Sequence, residues 1–94
     1  MDAAVYWYSI VHMGSIYLAM SQLEAAKRCF LRVLEWPRAW LTDCVNALHG
    51  LARYHKERKD WAKTIECCDE ALTILPNVKK GILIDEMPPK GRGT

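Results

Sequence analysis

The stretch Leu48–Pro76, "LHGLARYHKERKDWAKTIECCDEALTILP", decides how the rest of the chain is read. Large and small side chains follow one another at helical spacing: Leu48, Leu51, Ala52 and His55, then Thr64, Cys68 and Ala71, with Pro76 closing the unit. Intervals of three and four residues place such positions on one face of a helix. The same order occurs 38 residues earlier, as Ile10, Met13, Gly14 and Tyr17, then Ala26 and Phe30, then Pro37. The displacement is constant across six positions, so the chain reads as two copies of one helix pair.

Close contact between antiparallel helices gives this spacing its meaning. Gly14 with Ala26, and Ala52 near Thr64, let two backbones approach, while Met13, Tyr17, Phe30, Leu51 and Leu72 fill the space around them. Ser21 and Asp60 stand where a turn and helix cap are expected, and Pro37 and Pro76 follow helices they cannot continue. The expected helices are 3–20, 22–36, 39–57 and 60–75, with an extra turn around Leu41 to Cys44 where the units join.

The first of these helices contains an unusual run. Ala3 to Met20 holds no Asp, Glu, Lys or Arg in eighteen residues. A membrane span needs about 20 predominantly apolar residues, and Ser9, His12, Gly14 and Ser15 interrupt this one. The chain opens Met1-Asp2-Ala3-Ala4 and has no basic residue before Lys27, unlike a secretory leader. With 94 residues and 51% hydrophobic content, one small core is the expectation. A net charge of +2 gives no ground for a nucleic-acid partner or an acidic membrane surface. Adjacent Cys67 and Cys68, with Cys29 and Cys44, make a poor disulfide framework, so reduced thiols in a cytoplasmic chain are expected.

The large-x2-large-small-x2-aromatic pattern, followed by Ala-x3-aromatic and Pro, resembles a tetratricopeptide repeat across about residues 7–80. Its period here exceeds the usual one of about 34 residues by about one helical turn. The second unit, and "AKTIECCDEAL" (62–72) in particular, is most similar to the repeats of immunophilin-type co-chaperones of the FK506-binding-protein class. The resemblance implies an all-α, right-handed helical solenoid: two antiparallel helix pairs at about 7–40 and 45–78 and a short C-terminal capping segment, together spanning 1–86. Residues 87–94, with Pro88, Pro89, Gly91 and Gly93, are expected to be a disordered tail.

Such a scaffold is non-catalytic and binds a peptide or protein in a concave groove lined by the first helix of each pair. Carried over residue by residue, the resemblance puts Tyr8, Val11, Ser15 and Leu18 in the groove from the first unit, and Asn46, His49, Arg53 and Lys56 from the second. One half is apolar and the other basic. Arg and Lys beside Asn suit a carboxylate, which makes an acidic or C-terminal peptide the expected ligand class. The other reading of Arg53 and Lys56 is the solvated face of an amphipathic helix.

Family members that hold acidic chaperone tails use a clamp of Lys, Asn, Lys and Arg over three units. Val11 and Ser15 stand where the first unit would offer Lys and Asn, Gly50 where the second would offer Asn, and Ile84 where the third would offer Arg; Lys80 alone matches. Co-chaperone-like binding of an acidic chaperone tail is therefore an alternative to the general peptide scaffold. Two units also leave apolar ends that self-association into an oligomer, or further repeats of a longer protein, would cover. A self-associating structural unit, or a fragment of a longer repeat protein, is equally compatible with the sequence.

Enzymatic chemistry has no support. His12 and His49 have no nucleophile partner by sequence, there is no Gly-rich phosphate loop, and no CxxC pair or fourth ligand accompanies Cys67, Cys68 and His55. No cofactor or metal is expected, and the cysteines are read as core residues. Trp7, Trp36, Trp40 and Trp61 are read as packing at helix ends and unit junctions, with Trp36, Arg38 and Trp40 as an alternative aromatic and cationic patch.

Overall fold

The computed structural model describes residues 3–79, 81 and 83. It contains four helices: α1 (Ala3–Ala19), α2 (Leu23–Glu35), α3 (Leu41–Glu57) and α4 (Trp61–Val78). They pack sequentially and antiparallel, α1 with α2 and α3 with α4, and α3 also lies against both α1 and α2.

The 38-residue displacement recurs in the backbone. α1 and α3 end at Ala19 and Glu57. α2 and α4 begin at Leu23 and Trp61. The turns within the two pairs are also alike: among the described residues, Ser21 and Lys59 are the non-glycine residues with positive φ, at 61° and 59°. After each, an N–H reaches back across the helix end, from Gln22 to the Tyr17 carbonyl and from Asp60 to the His55 carbonyl, both at 2.9 Å. This is the Schellman closure, which satisfies carbonyls left open by a helix terminus. Ser21 is thus the left-handed turn residue, not a cap. Asp60 does cap α4, its carboxylate accepting from the Lys63 N–H at 3.3 Å.

Pro37 falls just past α2, but Pro76 lies inside α4, which runs to Val78. A proline has no N–H to donate to the carbonyl four residues back and its ring crowds that carbonyl, and α4 carries both costs for only two residues more before it ends.

The core is centred on α3, whose Leu41, Cys44, Ala47, Leu48, Leu51, Ala52 and Tyr54 are all buried. α1 adds Trp7, Ile10, Val11 and Leu18, α2 adds Ala26, Phe30 and Val33, and α4 adds Ile74. Phe30 is fully buried, and a Cβ built on Gly14 would stand 2.7 Å from its ring. A Cβ on Gly50 of α3 would overlap the same ring. The two glycines form the walls of the Phe30 site, which explains a small residue at position 50.

Three packing expectations are corrected. Trp7, Val11, Gly14 and Leu18, spaced four, three and four apart, form the buried ridge of α1, so Val11 and Leu18 belong to the core and not to an open groove. Met13 and Leu72, expected between helices, are exposed. Among the cysteines Cys44 is buried, Cys29 and Cys67 are half-buried, and Cys68 is exposed.

Candidate functional site

α3 has one polar face. Cys44, Ala47, Leu48, Leu51 and Tyr54 commit the rest of its circumference to the core. Asn46, His49, Arg53 and Lys56, spaced three, four and three apart, share the remaining side and are all exposed. On neighbouring α1, Tyr8 is exposed and Ser15 half-buried. The Tyr8 ring stacks on His12, centroids 6.2 Å apart and planes 4° apart. His12 is the residue that motif reasoning set aside; its four-residue separation from Tyr8 was the available signal. The expected site residue Lys80, and Ile84 of the incomplete clamp, lie outside the described residues, as does the expected tail 87–94.

Charge is distributed unequally around α3. On its α2 side, Tyr54 donates to the Glu24 carboxylate at 2.7 Å and Arg58 approaches the same oxygen at 3.4 Å. Lys27 and Arg58 lie 5.6 and 5.7 Å from the centroid of the Tyr54 ring. The Tyr54 hydrogen bond holds Glu24 below the usual carboxylate range, and the same bond pushes the Tyr54 hydroxyl up. Arg53 and Lys56, by contrast, have no carboxylate partner among the described residues. They can interact with an external anion without breaking an internal pair.

Cys29 and Cys67 are poorly set for reaction. Burial pushes Cys29 and Cys67 up, which favours the uncharged thiol over the nucleophilic thiolate. Burial pulls His55 down, toward its neutral form. Among the described residues no group of three or more His, Cys, Asp or Glu is arranged to hold a metal ion, and no helix is long and apolar enough to cross a membrane.

A second surface went unread in the sequence. A groove of about 670 Å³ runs between α1 and α2, with Tyr6, Ile10, Met13 and Tyr17 on one wall and Cys29 and Arg32 on the other. Near it Trp7 packs on Tyr6 and Trp36, with centroid distances of 4.7 and 5.4 Å. The fold joins this helix end to the start of α3, where Trp40 pairs with Leu83 in an isolated antiparallel bridge.

The chain matches no family model, no curated protein and no solved structure.

Proposed function

We propose that the chain is a non-catalytic protein-interaction scaffold of the tetratricopeptide-repeat kind, acting in the cytoplasm, that binds an acidic peptide segment along the polar face of α3. The observation that carries this reading is the exposed pair Arg53 and Lys56, adjacent on one helix face and without an internal carboxylate partner among the described residues. Asn46 and His49 on the same face add hydrogen-bonding groups, and Tyr8 with His12 on α1 adds an aromatic surface. The recurrence of helix starts and Schellman turns at 38 residues supports the repeat reading.

A peptide carboxylate on this face forms charge-assisted hydrogen bonds, each contributing about 1.5–3 kcal/mol where water is displaced and less than about 1 kcal/mol where it is not. Two such contacts separate a ligand face from a merely solvated one by tenfold or more in affinity, at about 1.4 kcal/mol per decade. A fluorescein-labelled Asp/Glu peptide with a free C-terminus, followed by polarisation, provides the test. The double charge reversal Arg53→Glu/Lys56→Glu is expected to weaken binding at least about tenfold, and added salt to weaken the parent complex. Equal affinity for the parent and the reversed protein would refute this placement of the site.

A further inference from the structure

Helix α4 carries two apolar stripes. Cys67, Ala71, Ile74 and Val78 are half-buried or buried in the core. Trp61, Ile65, Cys68, Leu72 and Leu75, at alternating intervals of four and three, make a second ridge on the same helix. That ridge is open: Trp61 is 56%, Ile65 60% and Leu72 62% exposed. Such spacing is the seam of a helix that lies against another helix.

The internal repeat identifies what kind of surface fits it. Displaced by 38 residues, Trp61, Ile65, Cys68 and Leu72 occupy the positions of Leu23, Lys27, Phe30 and Leu34 on α2. None of those four is exposed, and Phe30 is sealed beneath Gly50 of α3. In the first unit, then, these positions are covered by a helix of the α3 kind. Its counterpart is α1: Ile16 and Met20 stand where α3 has Tyr54 and Arg58, the two residues that reach Glu24 on α2. Ile16 is 46% and Met20 57% exposed, and Met13 beside them opens into the α1–α2 groove.

Charge favours the same match. Asp69 borders the α4 ridge, next to Cys68, while Arg28, Arg32 and Glu35 line the α1–α2 groove, two cations to one anion. Two ridges paired antiparallel about a two-fold axis would set Asp69 against its own copy near the centre; the groove, with two arginines to one glutamate, offers it a net opposite charge. We infer that the α4 ridge of one copy docks on the α1 face and α1–α2 groove of a second copy. The contact is heterologous, so copies add head to tail.

Sedimentation of the whole chain from low to high micromolar concentration tests this, with far-UV circular dichroism verifying that each variant is folded. The weight-average mass is expected to climb with concentration without stopping at two copies. Leu72→Glu removes the ridge and Met13→Glu the groove, so each variant alone stays monomeric. Their equimolar mixture retains one intact pair of faces and gives a heterodimer and nothing larger. Ile65→Glu and Ile16→Glu serve as independent replacements at either face if one variant fails to fold. Arg32→Glu weakens association about tenfold, and Arg32→Glu combined with Asp69→Lys restores it. A parent chain monomeric throughout, as when another helix or partner covers these faces, overturns the inference. So does a dimer that stops at two copies and ignores Met13→Glu, which assigns the contact to ridge against ridge.

Discussion

Phe30 is where the fold is most sensitive to one atom. Its ring lies between Gly14 and Gly50, so α1, α2 and α3 meet at a single side chain. Alanine at an exposed mid-helix glycine gains about 1 kcal/mol in propensity, but overpacking a closed site costs about 1–3 kcal/mol. Steric overlap wins here because Phe30 is fully buried and its ring is already held between Gly14 and Gly50. Gly50→Ala is expected to lower stability by about 1–2 kcal/mol in urea unfolding, and Phe30→Leu in the same chain to recover part of the loss. The sequence paired Gly14 with Ala26 and set Phe30 among the residues filling the space around them, so the neighbourhood of Gly14 was legible but the ring against it was not. The role of Gly50 was not legible, because its contact crosses from one unit to the other and the spacing reports only contacts within a unit.

The Tyr54–Glu24 hydrogen bond makes a second prediction at this scale. Glu24 is lowered in the folded chain, so its contribution is present above the ordinary carboxylate range and is lost as pH falls through the folded value. Tyr54 is raised, so its contribution is present below about pH 10 and is lost as pH rises through the folded value. Tyr54→Phe should therefore be less stable than the parent at neutral pH, with the difference closing toward both extremes. Urea midpoints measured across pH would show a constant difference if the bond did not form.

Among the elements, the two turns carry the clearest test of the repeat. Ser21 and Lys59 hold φ near +60°, a conformation that costs a residue with a Cβ about 1–2 kcal/mol and costs glycine little beyond about 0.5–1 kcal/mol of chain entropy. Ser21→Gly and Lys59→Gly are each expected to raise stability by about 0.5–1 kcal/mol, and together to add, since they lie in separate turns. A loss of stability in either would mean that the side chain supports the turn in a way the Schellman bonds do not. Helix starts were legible from the spacing and from Asp60, because capping is local chemistry. The end of α4 was misread because a proline disfavours a helix without forbidding it, and α4 continues two residues past Pro76.

For the whole molecule, periodicity announced four helices and two pairs, while burial depended on which face each helix turned to its neighbours. α1 has hardly any polar face, so its sequence could not say whether Val11 and Leu18 or Tyr8 and Met13 would be covered. Contact with both α2 and α3 decided it, burying Val11 and Leu18. α4 posed the same problem with two apolar stripes and one partner helix. α3 was simpler: Asn46, His49, Arg53 and Lys56 are polar at helical spacing, and all four are exposed. The central proposal is that this face receives an acidic segment. Its most direct test is a backbone amide NMR titration of the ¹⁵N-labelled chain with an Asp/Glu peptide bearing a free C-terminus. Saturable shifts centred on Asn46, His49, Arg53 and Lys56, spreading to Tyr8 and His12, are the predicted result. Shifts centred on Arg28 and Arg32 in the α1–α2 groove, or none at saturating peptide, would contradict it.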